Sequence, residues 1–104
     1  MAEDLHSLVE IDRLVHEPAR LVILTILNAV EKADFLYLLR ETGLTRGNLS
    51  SHLSKLEEAG YLQIEKTYKG KVPQTLVSIT EQGRDAFITY RQKLNDLVQR
   101  INKD

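Results

Sequence analysis

The fold is decided by residues 41–62, which read ETGLTRGNLSSHLSKLEEAGYL. Gly43 suits the left-handed backbone conformation that follows a helix end, and Thr45, two residues later, suits the N-cap of a new helix. In that new helix, over residues 46–59, three leucines recur at i, i+4 and i+7 and therefore share one face. They are Leu49, Leu53 and Leu56. Because Gly60 then ends the helix, the stretch predicts a helix, a tight turn and a second helix with one side in a core.

The side of the second helix opposite the leucines carries small or polar residues. They are Gly47, Asn48, Ser50, Ser51, Ser54, Lys55 and Glu58. A helix that enters the major groove of DNA, about 12 Å wide, needs short side chains for close approach and donors that reach base edges or phosphates. Glycine and serine allow the approach, and Arg46, Asn48 and Lys55 are among the donors.

A β-hairpin is predicted after Gly60. Residues 61–68 alternate apolar and polar side chains, and residues 75–79 do so loosely, as strands with one buried face do. Residues 69–73 read KGKVP and form the predicted turn, with two lysines at its tip. A thin basic hairpin of this kind can lie along phosphates or enter the minor groove.

Three helices are predicted before the tight turn. Apolar residues near helical spacing predict an amphipathic helix over residues 1–16. Pro18 stands where a first helical turn tolerates a missing N–H, and the helix that it starts is apolar nearly all round and is therefore expected to be buried. Asp34 suits the N-cap of a short third helix, which ends at Gly43.

The last helix is long and carries a second apolar seam. Thr80 suits its N-cap, and Glu81 complements the helix dipole in its first turn. Apolar residues then step by three and four, as in a heptad seam. They are Phe87, Tyr90, Leu94, Leu97 and Ile101, with Val98 beside them. At 1.5 Å per residue the helix is about 30 Å long, so we expect it to extend past the chain's own core.

This seam has two interpretations. It packs on the chain's own first helices, or it joins two copies of the chain. We favour the dimer interface, which Leu8, Ile11 and Val15 of the first helix could join.

The order of these elements, with the ITEQGR motif of residues 79–84, resembles the winged-helix regulators of the MarR and ArsR type, most of all their short prokaryotic members. The resemblance implies a mostly helical α+β fold: a winged helix-turn-helix with a two-stranded β-hairpin wing and a long C-terminal dimerisation helix. It also implies a homodimeric DNA-binding transcriptional regulator, with residues 46–59 as recognition helix and residues 66–73 as wing. ArsR-type metal sensors carry a cysteine pair near the recognition helix. This chain has no cysteine, so thiolate metal sensing is not implied.

The expected organisation is one domain over residues 1–104, made of an N-terminal helix (1–16), a winged-helix core (17–79) and a C-terminal dimerisation helix (80–104). A homodimer would place its recognition helices in successive major grooves about 34 Å apart, on a pseudo-palindromic site in double-stranded DNA. The residues expected to contact DNA are Thr45, Arg46, Asn48, Ser50, Ser51, Ser54, Lys55, Lys66, Lys69 and Lys71.

For several of these residues, roles other than DNA contact remain open. The helix positions are also compatible with an ordinary solvated face, and the hairpin lysines with solubilising charge. Arg84 is expected either to form an internal ion pair or to touch DNA.

The net charge of −1 argues at first against a nucleic-acid partner. When the chain is divided into segments, however, residues 1–17 have a net charge of −4 and residues 44–79 have a net charge of +2. Because charges are felt within a Debye length of about 8–10 Å, a modest basic face is compatible with the total. A winged helix that docks on an acidic protein partner, with no DNA target, remains the alternative function.

Several classes of function are not expected. The chain lacks cysteine, an apolar run of the roughly 18 residues that cross a bilayer, and a signal-peptide layout, so we expect a cytoplasmic protein that does not enter the membrane. The histidines lack metal-ligand spacing, and the serines lack an accompanying catalytic motif, so neither a metal or other cofactor nor enzymatic activity is expected. His52 is expected to be partly buried. Tyr37, Tyr61 and Tyr90 are expected in the core, with an effector pocket at the dimer interface as the alternative.

Overall fold

Four helices and three strands follow one another in the computed structural model, which describes residues 9–103. They are α1 (Pro18–Ala29), β1 (Ala33–Asp34), α2 (Phe35–Thr42), α3 (Arg46–Glu58), β2 (Leu62–Lys69), β3 (Val72–Ile79) and α4 (Glu81–Asn102). The strands form an antiparallel sheet in the order β1-β3-β2. This is the mostly helical α+β winged-helix architecture that the sequence predicts.

The turn between α2 and α3 has the predicted geometry. Gly43 adopts a left-handed φ of 69°, and its N–H donates to the carbonyl of Leu39 at 3.1 Å. Thr45 then caps α3, since its hydroxyl accepts from the N–H of Asn48 at 3.1 Å. Satisfying these terminal groups locally fixes where one helix stops and the next begins.

The core lies between α1, α3, the sheet and the first half of α4. The leucines that the sequence assigns to the inner face of α3 are buried, and they meet buried residues of α1, α2 and β3. The fully buried large side chains are Val15, Ile23, Leu24, Leu27, Leu38, Leu49, Leu56 and Val77. Burying each such side chain stabilises the fold by about 1.5–3 kcal/mol, so this cluster holds α3 in place with its polar face outward.

The hairpin is longer than predicted. The turn is not residues 69–73 but Gly70 and Lys71 alone, with Gly70 at a φ of 66°. Pro73 lies within β3, opposite Tyr68. It is tolerated because β1 pairs with β3 only at Val77 and Leu76, so the outer edge of β3 at Pro73 has no strand to which an N–H could donate. Two-residue β1 was not predicted.

The predicted N-terminal helix over residues 1–16 is wrong for residues 11–16, which form a turn. The carboxylate of Asp12 accepts from the N–H groups of Leu14 and Val15, at 2.9 and 3.3 Å, in the manner of an Asx turn. Pro18 also restricts Glu17, which is extended at φ −154° and ψ 129°. Ile11, Leu14 and Val15 of this segment still pack on the core, although their backbone is not helical.

Helix α4 is anchored at its start and projects at its end. Thr80 caps it, accepting from the N–H of Gly83 at 3.0 Å, while its own hydroxyl donates to the carbonyl of Gly60 at 2.6 Å. The buried positions of α4 stop at Tyr90, although the helix continues to Asn102. The molecule is accordingly elongated, at 57 × 25 × 20 Å.

Candidate nucleic-acid interface

Every residue expected to contact DNA is exposed. On α3, which carries Arg46, Asn48, Ser50, Ser51, Ser54 and Lys55, this follows from the three leucines, whose burial turns the polar side to the surface. A Cβ added at Gly47 would meet nothing within 4 Å, so the first turn of α3 is open to close approach by a partner. The hydroxyl of Thr45 already accepts the cap hydrogen bond, so its first role is structural.

A groove of about 780 Å³ separates α3 from the hairpin. Polar side chains of both walls line it: Arg46, Ser50, Ser54 and Glu57 from α3, and Lys66 and Thr75 from the sheet. Its floor is apolar, formed by Phe35, Leu53 and Ile64. The structure therefore brings Lys66 together with the α3 residues, whereas Lys69 and Lys71 lie apart at the hairpin tip.

Two residues of this surface were not predicted. Glu57 lines the groove at the spacing i, i+4 and i+7 from Ser50 and Ser54, a signal that was available in the sequence. Tyr68 is 70% exposed on β2, just before the hairpin turn. Tyr68 lies on the same face of β2 as Leu62 and Ile64, so the sequence pattern indicates an ordinary strand with one buried face, and only the full length of the hairpin shows that the ring lies beyond the core.

A pair of side chains links the hairpin to α2. Asp34 caps α2 through the N–H of Leu36, at 2.6 Å, and its other carboxylate oxygen accepts from the side-chain amide of Gln74 on β3 at 2.8 Å. The hydrogen bond from Gln74, then that from the Leu36 N–H, hold the pKa of Asp34 below its usual value. Because one carboxylate bonds both elements, the hairpin is fixed relative to the helix-turn-helix.

The ends of α1 are tied to the elements that flank them. His52 of α3 is partly buried, as expected, and its Nδ1 lies 3.2 Å from both a carboxylate oxygen of Glu17 and Nη1 of Arg20. At the other end, Arg84 donates to the carbonyl and the side-chain oxygen of Asn28, at 3.0 and 2.7 Å. Arg84 thus makes internal hydrogen bonds to the end of α1, where the sequence left an ion pair or DNA contact open.

The residues expected at a dimer interface fall into separate groups. Val15, Phe87 and Tyr90 are buried in the chain's own core, so their side chains are not available to a partner. Ile11 and Leu94 are partly buried against that core. Leu97 is half-buried, and Val98 and Ile101 are 43% and 63% exposed. Leu8 lies outside the described residues. Among the described residues of this predicted interface, the exposed apolar side chains are therefore those of Val98 and Ile101, on the last turns of α4.

The tyrosines make specific contacts. The hydroxyl of Tyr61 donates to Asp12 at 2.6 Å, and this bond, with burial second, raises the pKa of Tyr61 to about 12. Tyr90 is buried, which raises its pKa, and its hydroxyl lies 2.6 Å from Nδ1 of His16. Tyr37 is partly exposed, with Arg40 5.7 Å from its ring centroid.

Residues 9–103 contain neither a metal-binding cluster nor a membrane-spanning helix. Among these residues no group of three or more His, Cys, Asp or Glu side chains could hold a metal ion. In the same part of the chain, no helix has the length and apolar character to span a membrane.

Comparisons with known proteins agree with this architecture. Residues 19–98 match the family model described as winged helix DNA-binding domain. An uncharacterised protein of Methanocaldococcus jannaschii, MJ0432, is 38% identical over 90 residues, which are 86% of this chain and 97% of that protein. A transcriptional regulator homologue from Pyrococcus horikoshii OT3 superposes with a TM-score of 0.84 at 28% identity, over 93% of this chain and 95% of its own.

A more distant structure shows the same fold. A putative regulator of the MarR family from Enterococcus faecalis V583 superposes with a TM-score of 0.77 at 16% identity, over 99% of this chain and 94% of its own. The chain therefore belongs to the winged helix DNA-binding domain family, with the fold of MarR-type transcriptional regulators.

Proposed function

We propose that the chain is a sequence-specific transcriptional regulator that binds double-stranded DNA as a homodimer. In each protomer, α3 enters the major groove, and the wing, which we define as residues 66–73, contacts the backbone or the minor groove. It acts in the cytoplasm as a binding protein and not as an enzyme. The observation that carries this proposal is the exposed polar face of α3 beside a groove with cations on both walls, Arg46 and Lys66.

The groove suits one strand of a duplex. A helix in the major groove and a hairpin at the adjacent minor groove have a sugar-phosphate strand between them. Arg46 and Lys66 would neutralise phosphates of that strand, and Ser50, Ser54 and Thr75 would donate to phosphate oxygens. Glu57 lines the same groove and is negatively charged, so it cannot neutralise a phosphate. Its carboxylate can instead accept a hydrogen bond from the exposed amino group of cytosine.

The dimer is supported by the end of α4. Val98 and Ile101 lie on turns that extend past the core, and apolar side chains exposed at a helical spacing of three form a stripe that a second copy can cover. A two-fold axis at this end would present both α3 helices to the same side of the DNA. The site would then be pseudo-palindromic.

Selection of bound fragments from genomic DNA, followed by gel retardation, tests the proposal. We expect a discrete set of retarded duplexes whose affinity falls steeply with salt, because lysines and arginines release counterions from phosphates. Asn48→Ala should alter which sequences are preferred, since Asn48 is placed to reach base edges. Failure of the purified protein to retard any genomic fragment at low salt would contradict the proposal.

A protein-docking module is the alternative function. The net charge of only +2 over residues 44–79 is the observation in its favour. A chain of this kind would bind an acidic protein and would show no sequence preference among duplexes, which the same selection detects.

A further inference from the structure

We propose that the wing contacts DNA through an apolar pair, Tyr68 and Pro73, which packs on the deoxyribose sugars that line the minor groove. This inference rests on the proposed function and gives Tyr68 and Pro73 a specific role in DNA binding. Lysines would hold the phosphates, and the pair would cover the sugars between them.

The exposure of the pair is the first observation. Tyr68 is 70% exposed, Pro73 is exposed as well, and the two stand opposite each other on β2 and β3. An aromatic ring carries a large apolar area, so leaving it in water forgoes the stabilisation that burial gives. The Tyr68 side chain is not part of the hydrophobic core, and Pro73 lies on a strand edge where β1 does not pair.

The face on which the pair lies is the second observation. Side chains of a strand alternate between faces, and residues paired across an antiparallel ladder share a face. Tyr68 and Pro73 therefore lie on the same face as the core-facing pair of partly buried Ile64 and buried Val77, with the pair Lys66–Thr75 between them. Because Lys66 and Thr75 line the groove beside α3, the apolar pair continues that groove outward along the wing.

The charges around the pair indicate the partner. Lys66 precedes Tyr68 by two residues on the same face, about 6.7 Å along the strand, and Lys71 follows it in the turn at the tip, whereas Lys69 pairs with Val72 on the opposite face. Cations on both sides of an apolar patch match a polymer in which phosphates alternate with apolar sugar edges. Double-stranded DNA presents those sugar edges in its minor groove, which a thin hairpin can enter.

The wing contains a matched control. Val72 is apolar and 65% exposed, comparable to Tyr68, but it pairs with Lys69 and so lies on the opposite face of the hairpin. Neither side chain supports the core, so substitutions at both positions leave a folded protein. Any difference between them reports the face that meets DNA.

The test compares gel retardation of a selected duplex by Tyr68→Ala, Tyr68→Phe, Val72→Ala and the double variant Lys69→Ala with Lys71→Ala. We expect Tyr68→Ala to bind about tenfold more weakly with an unchanged salt slope, because an apolar contact and not an ion pair is lost. Tyr68→Phe and Val72→Ala should bind like the unaltered protein. The double lysine variant should lose affinity and show a shallower salt slope.

Hydroxyl-radical cleavage of the saturated complex provides a second readout, since it attacks the sugars themselves. With Tyr68→Ala, sugars at the minor groove should become accessible while the region under α3 stays protected. Equal binding and equal protection for Tyr68→Ala and Val72→Ala, with the lysine variant impaired, would overturn the inference and leave the proposed function intact. If the unaltered protein binds no duplex, the proposed function itself fails.

Discussion

At the scale of single residues, Gly83 sets how closely α4 approaches Tyr61, the residue just before β2. A Cβ at this position would lie 2.2 Å from the carbonyl oxygen of Tyr61, a backbone atom that also accepts from the N–H of Thr80 at 3.0 Å. No rotamer change can relieve a backbone clash of this kind. The glycine of the ITEQGR motif is therefore explained by packing and not by DNA contact.

We predict that Gly83→Ala lowers the free energy of unfolding by about 1–3 kcal/mol or more, as overpacking does. Gly47→Ala is the control, because it also adds one methyl group to a helical glycine but in open space. It should leave stability unchanged or raise it slightly, since alanine is the better helix former. Urea unfolding followed by circular dichroism measures both, and equal stability of the two variants would refute the packing explanation.

The hydrogen bond between Tyr61 and Asp12 predicts how the stability of the fold depends on pH. Its hydrogen bond to Asp12 raises the pKa of its phenol from 10.0 to about 12, so the folded state favours the neutral phenol. A pKa raised by folding contributes stability that is present below about pH 10 and is lost as the pH rises toward 12.

Two variants isolate this contribution. Tyr61→Phe should reduce the fall in unfolding free energy between about pH 10 and 12. Asp12→Asn should bring the pKa of Tyr61 back toward 10.0, as seen by the ultraviolet absorbance of the phenolate. A phenolate titration that is unaltered in Asp12→Asn would show that the Asp12 contact does not set this pKa.

At the scale of elements, the sequence predicts helices best where capping residues and apolar periodicity agree. Asp34, Gly43, Thr45 and Thr80 each mark a helix boundary that the structure confirms. At these positions the signal is local, because a side chain or a left-handed glycine satisfies backbone groups within four residues. Helix α3 and its exposed polar face follow from the same local rules.

The errors arose where a tertiary contact decides the structure. Strand β1 is only two residues long and exists because it pairs with β3, more than 40 residues later. Pro73 is part of a strand because the neighbouring edge is free there. In the N-terminal segment, apolar spacing indicated a helix, but the Asp12 turn and the contact with Tyr61 override it. No local pattern in the sequence reports such pairings.

Helix α4 is the element on which the proposed dimer depends. We predict that Val98→Glu together with Ile101→Glu yields a monomer, because charged side chains would have to be buried between the two copies. Both residues are exposed within one chain, so the fold should survive, as circular dichroism would report. Gln99→Glu adds a charge at an exposed neighbouring position and is the control.

Sedimentation at micromolar concentration distinguishes these outcomes. We expect a dimer for the unaltered chain and for Gln99→Glu. A monomeric unaltered chain, or a double variant that stays dimeric, would contradict an interface at the end of α4.

At the scale of the whole molecule, the charge is divided between regions with different roles. The net charge of −4 on residues 1–17 lies before α1, whereas the net charge of +2 on residues 44–79 lies in α3 and the hairpin. A net charge of −1 is therefore compatible with a basic surface that a dimer would present twice to one side. The length of α4, about 33 Å over its 22 residues, would allow the second copy of the proposed dimer to lie away from the side that we propose faces DNA.

Hydroxyl-radical footprinting of a selected duplex tests the central claim most directly. We predict two protected regions related by two-fold symmetry, centred about 10 base pairs apart on one side of the duplex, because two α3 helices would occupy successive major grooves. Both regions should disappear together at higher salt. A single protected region, or no protection at a protein concentration that retards the duplex, would contradict the claim that the chain reads DNA as a homodimer.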